Sequence, residues 1–226
     1  MYIIDDGSNE TVWAFNTRDL MRASSCDHCT KIAIARELAM PGVRELIEPY
    51  KQVGQTLAMA YGDRFEADIE AELRASLGEA DFKRPEGPDP FAETIQLMHA
   101  QTPVVYQGSL HRRHGCSMFT GRPDFLVRAD YDLEFVAGKL TAKQNADRIG
   151  QPGYIAWDAK LASTAKPHYL LQVALYVDAL DSLGLKADAM HGLILGSRTI
   201  ALFEEGEIVP AMRQARRRQA PRGPNQ

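Results

Sequence analysis

The spacing of apolar residues changes near residue 104, from helical periods to the short apolar runs that are typical of β-strands. Helical spacing covers three earlier segments, at 15–40, 52–77 and 91–100. Strand-like runs follow at 104–110, 119–127, 154–157, 190–195 and 199–203, with one helical segment at 167–183. Helices followed by strands, a helix and two more strands predict an α/β fold with a central mixed β-sheet flanked by helices.

Local sequence signals predict where some of these helices begin and end. Thr17 is the expected N-cap of the first helix, and Gly78 is expected to end the long second one. Gly184 is expected to follow the last helix, as glycine does at many helix ends. The polar stretch 138–152 is predicted to be an insertion between two strands.

The composition is that of a globular protein: 226 residues, 45% hydrophobic and 25% charged. No apolar run reaches the roughly 18 residues of a membrane span, so no membrane partner is expected. The acidic start at 1–6 is unlike a signal peptide, and a cytoplasmic location is therefore expected. We predict one domain at 1–209, with a helical part at 12–100 and a sheet core at 101–209, and a basic, flexible tail at 210–226.

The distribution of charge limits the ways in which this chain can bind nucleic acid. The net charge is −4, and the residues after Glu207 carry five arginines and no acid, so the rest of the chain carries −9. Binding to phosphate normally requires lysine and arginine. One way to reconcile a nucleic-acid function with this charge is that some of the carboxylates hold cations.

Polar residues at the ends of predicted strands are the best candidates for chemistry. Asp158 and Lys160 end one strand and, because side chains alternate, both project to the same side. If Asp124 lies at the same level on the adjacent strand, the two carboxylates can share one divalent cation such as Mg²⁺. Lys160 would then lie beside water held by the cation, where a positive charge lowers the pKa of that water and helps to orient it.

Two helices carry further candidates. Gln172 and Tyr176 are four residues apart and share one helix face, which suits a contact with phosphate or base. Glu66 and Glu70 are one turn apart on the long helix, and either could supply a third carboxylate.

Each of these groups also has a structural interpretation. An aspartate after a proline is typical of a turn, and an acid and a lysine two residues apart are compatible with an ion pair at a strand end. The glutamine and tyrosine could line a helix rim, and the two glutamates could face solvent. What favours chemistry is the occurrence of all four groups in this order.

The order of the motifs resembles the PD-(D/E)xK nuclease superfamily, and the glutamine and tyrosine narrow the resemblance to its RecB-like branch. More closely, the chain is similar to the N-terminal nuclease domain of bacterial RecB-family proteins that carry a further ribonuclease-H-like domain. The matching segments are 92–94, 107–108, 121–126, 158–162 and 190–196. The resemblance runs from about residue 12 to 205 and implies a restriction-endonuclease-like core.

The resemblance implies roles for individual residues. Asp124 and Asp158 become metal ligands, with the backbone carbonyl of Ala159 as a further ligand, and Lys160 positions or activates water. Glu66, in preference to the other glutamate, matches the acid of the family's first motif and would be a third ligand.

For the protein as a whole, the resemblance implies a Mg²⁺- or Mn²⁺-dependent nuclease that hydrolyses phosphodiester bonds in DNA. Gln172 and Tyr176 would organise the site and contact the substrate, which is expected to be single-stranded DNA or DNA ends, as for an exonuclease of DNA repair. Because the related proteins continue into a second domain, a separate domain or a protein partner is expected. Arg112 and Arg113 are candidate phosphate contacts. The alternative is a nucleic-acid-binding or assembly module of a repair or defence complex that does not cut.

The cysteines favour a different, weaker hypothesis. Cys26 and Cys29 form a C-x-x-C motif that could bind zinc together with Cys116 and the more distant histidines His111 and His114, as in a zinc-binding interaction protein. A chain with three cysteines cannot supply the four thiolates of an iron–sulfur cluster. Reduced, buried structural thiols are the expected state.

Overall fold

A computed structural model of the chain describes residues 1–4, 12–48 and 56–219. The helices in these ranges are α1 (Thr17–Ser25), α2 (Asp27–Glu37), α3 (Val43–Ile47), α4 (Leu57–Leu77), α5 (Pro90–His99), α6 (Pro167–Ser182) and α7 (Glu205–Gln219). The strands are β1 (Tyr2–Ile4), β2 (Val12–Phe15), β3 (Phe82–Lys83), β4 (Val104–Tyr106), β5 (Leu110–His114), β6 (Ser117–Gly121), β7 (Phe125–Arg128), β8 (Tyr131–Val136), β9 (Lys139–Gln144), β10 (Tyr154–Lys160), β11 (His191–Leu195) and β12 (Thr199–Phe203).

The central sheet has six strands in the order β12-β11-β10-β7-β4-β3. It is mixed, because β10 pairs in parallel with β11 and antiparallel with β7. Helix α4 packs against β10 on one side, and α6 packs against the same strand on the other. The predicted α/β fold, with a mixed sheet flanked by helices, is confirmed. A second sheet has the order β1-β2-β6-β5, and β8 and β9 form a hairpin.

Side-chain alternation on β10 divides the core into two layers. Tyr154 and Ala156 face the layer that contains α6, whereas Ile155 and Trp157 face the layer that contains α4. All four are buried, as expected for a strand covered on both faces. Continuing the alternation places residue 158 on the α6 side of the sheet.

Two predicted strands are each divided between the two larger sheets. The run at 104–110 turns at Gln107, whose φ of +49° is left-handed, so β4 and β5 pair with different partners. The run at 119–127 is interrupted at Pro123, which has no N–H to donate to a strand pair. Both interruptions are next to the candidate site. The region 12–100, predicted to be helical, also contributes β2 and β3.

The predicted helix at 15–40 consists of two helices, because Cys26 is extended at φ −156° and ψ 99° between α1 and α2. The N-cap of α1 is Asn16 and not Thr17. The Asn16 side chain accepts a hydrogen bond from the Asp19 N–H at 3.1 Å, and the Asp19 carboxylate accepts one from the Asn16 N–H at 3.2 Å. This reciprocal capping stabilises the first turn.

Other predicted ends agree with the structure. Helix α4 begins after Thr56, whose hydroxyl caps it, and ends at Gly78, which adopts φ +82°. Its predicted start at 52–55 lies outside the described residues. Gly184, at φ +68°, follows the end of α6 as expected. The predicted insertion contains β9, which pairs with β8.

The prediction of a flexible tail from residue 210 is wrong for 210–219, which belong to α7. Met212 is completely buried, and it packs with Ile208 and Val209 in the α6 layer. The error came from Pro210, which usually stops a helix but here lies inside one. Residues 220–226 lie outside the described part of the chain. Across the described helices, none is both long and apolar enough to cross a membrane.

Candidate active site

The two aspartates are brought together by the antiparallel pairing of β7 and β10. Phe125 is opposite Trp157 in this ladder, so the next positions along it place Asp124 opposite Asp158. Leu126 belongs to the α6 layer, and alternation therefore places Asp124 on the same face as Asp158. The two carboxylates lie side by side where the strands begin to separate.

Lys160 lies on the same side of β10 as Asp158, as the alternation of side chains predicts. Its Nζ forms an ion pair with Asp158 Oδ2. Asp158 is completely buried, and Oδ2 makes no hydrogen bond in addition to this ion pair. A buried carboxylate oxygen with one partner retains capacity for a further positive partner.

Asp124 is held by backbone groups. Its Oδ2 accepts a hydrogen bond of 2.6 Å from the Ala159 N–H, and its carbonyl oxygen accepts one of 2.8 Å from the Gln107 N–H. Ala159 therefore contacts Asp124 through its N–H, whereas its carbonyl oxygen was the group predicted to bind metal. These hydrogen bonds fix the position of Asp124 relative to the segments that carry Gln107 and Ala159.

The electrostatics of the site show an excess of negative charge. Burial raises the pKa of Asp124 well above its usual value, and the charges of Asp158 and Glu66 raise it further against the opposing effect of Lys160. Burial also raises the pKa of Asp158, although Lys160 opposes this. Burial alone would lower the pKa of Lys160, but the two aspartates outweigh it and raise that pKa. A cation bound between the carboxylates would relieve this repulsion.

Gln172 and Tyr176 form a hydrogen-bonded chain that supports the aspartates. Gln172 Nε2 lies 3.2 Å from Asp158 Oδ1 and 2.8 Å from the Tyr176 hydroxyl, and donates to both. The Tyr176 hydroxyl in turn donates to the carbonyl oxygen of Arg122 at 3.1 Å. Burial raises the pKa of Tyr176 well above its usual value, so the hydroxyl keeps its proton. The chain connects α6 to the turn that precedes Asp124.

The structure distinguishes between the two glutamates of α4. Glu66 Oε1 accepts hydrogen bonds from the Tyr106 hydroxyl at 3.1 Å and from Gln107 Nε2 at 2.6 Å. Glu70 instead forms an ion pair with Arg74 at 2.9 Å. In the described parts of the chain, no three His, Cys, Asp or Glu side chains form a group that could hold a metal ion. Glu66 therefore influences the aspartates by its charge, while Tyr106 and Gln107 hold its carboxylate.

The two arginines predicted as phosphate contacts lie elsewhere. Arg112 Nε is 3.5 Å from Asp178 Oδ2, on the part of α6 that follows the site. Arg113 Nε donates to the carbonyl oxygen of Gly115 at 3.1 Å, at the turn between β5 and β6. Their role as phosphate contacts stays a prediction, although Arg112 is paired with α6, against which β5 packs.

A basic cleft opens over the site and is formed by segments that are far apart in the sequence. It has a volume of about 640 Å³. Its lining includes the basic side chains of Arg18, Arg122 and Lys160, and none of its lining residues is acidic. The lining residues are Tyr2, Asn16, Thr17, Arg18, Met21, Ser109, His111, Thr120, Gly121, Arg122, Lys160, Gln172 and Tyr176. Arg18 and Arg122 are far apart in sequence, so only the fold shows that they line one cleft.

The cysteines are more exposed than predicted. Cys29 and Cys116 are exposed, and Cys26 is partly exposed, so they are not buried structural thiols. They lie on two elements, α2 and the turn between β5 and β6. His114, a proposed partner for zinc, is 3.3 Å from Asp178.

Comparisons with known proteins assign no family. No protein-family model and no curated protein matches the chain. Among solved structures, the chain is similar to "Crystal structure of SSO0001", with 15% sequence identity and a TM-score of 0.40. That similarity covers 90% of this chain and 75% of the other. A similarity this low carries no argument about function.

Proposed function

We propose that the protein is a divalent-metal-dependent DNA nuclease of the RecB-like type within the PD-(D/E)xK superfamily. The observation that carries the proposal is the position of Asp124 opposite Asp158 on adjacent strands, with the Lys160 ammonium paired to Asp158. A buried acidic pair has no structural need to be so close, since the repulsion destabilises the fold. Binding of a cation explains the arrangement.

The residues fit a small, hard cation. Mg²⁺ and Mn²⁺ prefer oxygen ligands, and Asp124 and Asp158 would supply carboxylate oxygens from one face of the sheet. Asp158 Oδ2 has the Lys160 ammonium as its one partner and retains capacity to bind a cation. When bound, such a cation stabilises the charge that develops on a phosphate and lowers the pKa of nearby water.

Lys160 acts as a charged donor and not as a general base. Its raised pKa keeps the ammonium protonated at neutral pH. The Lys160 ammonium lines the cleft, lies 5.6 Å from the centre of the Tyr169 ring, and would donate to a phosphate oxygen of a bound substrate. A fixed positive charge there stabilises negative charge in the transition state.

Gln172 and Tyr176 are positioning residues in this proposal. The glutamine holds Asp158 Oδ1, and the tyrosine holds the turn before Asp124 through the Arg122 carbonyl. Because both aspartates are attached to one helix through this chain, their separation is maintained before a ligand binds. This preorganisation favours rapid cation binding and a fixed direction of attack.

The cleft supports a nucleic-acid substrate. Its arginines, Arg18 and Arg122, suit two phosphates on either side of the scissile bond, and its small volume favours a single strand or a strand end over a duplex. Exonucleolytic action, a role in DNA repair and a partner or second domain also form part of the proposal, and they rest on the resemblance alone. A cytoplasmic location, expected from the sequence, is proposed as well.

The test is cleavage of end-labelled single-stranded and duplex DNA in Mg²⁺, in Mn²⁺ and in EDTA. We expect cleavage only with metal, and we expect Asp158→Asn and Lys160→Ala to reduce the rate by about 100-fold or more. Lys143→Ala is the matched control, because Lys143 is exposed on the β8–β9 hairpin. Full activity of Lys160→Ala would refute the proposed mechanism. Metal-independent binding of DNA without cleavage would favour a binding module.

A further inference from the structure

Cys26 and Cys29 form a close pair that the proposed function does not use. Cys26 is the residue at which α1 ends and α2 begins. Its Sγ accepts a hydrogen bond from the Cys29 N–H at 3.2 Å and lies 2.7 Å from Cys29 Sγ. The extended backbone of Cys26 turns its sulfur over the first turn of α2, where Cys29 is located.

We propose that Cys26 and Cys29 are an oxidisable dithiol that closes to an intramolecular disulfide by exchange with a small-molecule disulfide. The sulfurs are already in contact, and their separation of 2.7 Å is close to the S–S bond length of about 2.05 Å. Cys29 is exposed and Cys26 partly exposed, so a small disulfide can reach them. This proposal is independent of the nuclease proposal.

The two thiols have different chemical roles. The hydrogen bond from Cys29 lowers the pKa of Cys26 and raises that of Cys29. Cys26 also caps α2, a helix of 11 residues, whose N-terminal N–H groups stabilise a thiolate. Cys26 is therefore the attacking thiol and Cys29 the resolving one.

The exchange proceeds in two balanced steps. The Cys26 thiolate attacks one sulfur of the small disulfide, forming a mixed disulfide and releasing one small thiolate. Cys29 then transfers its proton to water and attacks Cys26 Sγ, which forms the internal disulfide and releases the second small thiolate. Two protein thiols are oxidised, and one small disulfide is reduced to two thiols.

Zinc binding is less compatible with this geometry. A structural zinc site needs four ligands, usually cysteine and histidine side chains. In the described residues, no group of three or more metal-ligating side chains includes these cysteines.

Cys116 provides an internal control. It is exposed at the turn between β5 and β6, away from α2, and the pair accounts for the other two cysteines of the chain. The same reaction at Cys116 can therefore produce only a mixed disulfide or a link between two molecules.

The experiment treats the full chain with buffers of reduced and oxidised glutathione, followed by acid quenching, alkylation of free thiols, and intact-mass and peptide mass spectrometry. We expect the peptide that contains Cys26 and Cys29 to lose two alkylatable thiols without gaining glutathione, through a Cys26–Cys29 disulfide, while any glutathione adduct is confined to Cys116. Cys116→Ser should form the same disulfide, and Cys29→Ser should stop at a glutathione adduct on Cys26.

Three results would overturn the proposal. One is a protein that keeps all its thiols, or gains only glutathione adducts, in fully oxidised buffer. Another is a faster adduct on Cys116 than on Cys26 in Cys29→Ser. The third is stoichiometric zinc in the purified protein whose removal by a chelator is needed before the thiols react.

Discussion

Replacing Gly121 by alanine should destabilise the protein and displace Tyr176, which supports the candidate site. A Cβ at this position would lie 2.5 Å from Phe119 Cζ and 2.6 Å from Tyr176 Cε1. Carbon atoms pack best at about 3.5–4.0 Å, so the rings would have to move by about 1 Å. Phe119 is completely buried and Tyr176 is 2% exposed, which leaves little free space for that movement.

Overpacking of this kind costs about 1–3 kcal/mol. In a chain of this length, each kcal/mol changes Tm by about 2–4 °C, so the expected decrease is about 2–12 °C. Tyr176 connects Gln172 to the turn before Asp124, so cleavage activity should also fall, even at temperatures well below Tm. Thermal unfolding followed by circular dichroism in EDTA measures the first effect, and the DNA cleavage assay measures the second.

Gly62→Ala is the matched control. Gly62 lies in α4, and no heavy atom would come within 4 Å of an added Cβ. Alanine is more stable than glycine inside a helix by about 0.5–1 kcal/mol, so this variant should gain a few degrees in Tm. If Gly121→Ala were as stable as Gly62→Ala, the packing around Tyr176 would have to be looser than described, and the reasoning would fail.

Three further predictions follow from the structure. Arg18→Ala should raise KM for single-stranded DNA and reduce its dependence on salt with little effect on Tm, because the arginine lines the cleft; an unchanged KM in kinetic assays would contradict the proposed path of the strand. The raised pKa of Asp124 means that its contribution to stability is present at acidic pH and lost as the pH rises through the folded-state pKa. Asp124→Asn should therefore be more stable than the native protein at neutral pH in EDTA, with a difference that shrinks toward pH 4, in urea unfolding; a difference independent of pH would count against the acidic pair. Met212→Ala should cost about 2–5 kcal/mol in the same urea experiment, since this side chain is completely buried; a loss below about 0.5 kcal/mol, as for a surface position, would mean that α7 does not pack on the body.

Much of the fold was predictable because its signals are local. Helix α6 and strands β11 and β12 were found within one residue of their observed bounds, since each has a clear hydrophobic period and a glycine or proline near its ends. The errors in the strands fell where two sheets meet. A continuous apolar run does not reveal that Gln107 turns the chain from one sheet into the other.

The candidate site was predictable in part for the same reason. Asp158 and Lys160 are two residues apart on one strand, so alternation alone puts them on the same face. The hydrogen bond between Glu66 and Gln107 could not be predicted from a local sequence pattern, because the two residues are 41 positions apart. The contact of Arg112 with Asp178 was not predictable for the same reason, since Asp178 is on a helix distant in sequence.

The sequence by itself determined the helical and strand periods, most helix ends and the pairing of an acid with a lysine on one strand, because each depends on residues within one or two turns of each other. Only the tertiary structure decided that Asp124 meets Ala159 across 35 residues, that the basic side chains of α1 and the β6–β7 turn line one cleft, and that α7 folds onto the body. These contacts join segments whose separation in the chain bears no relation to their separation in space. They depend on how the sheets and helices pack, and no local pattern of residues encodes that packing.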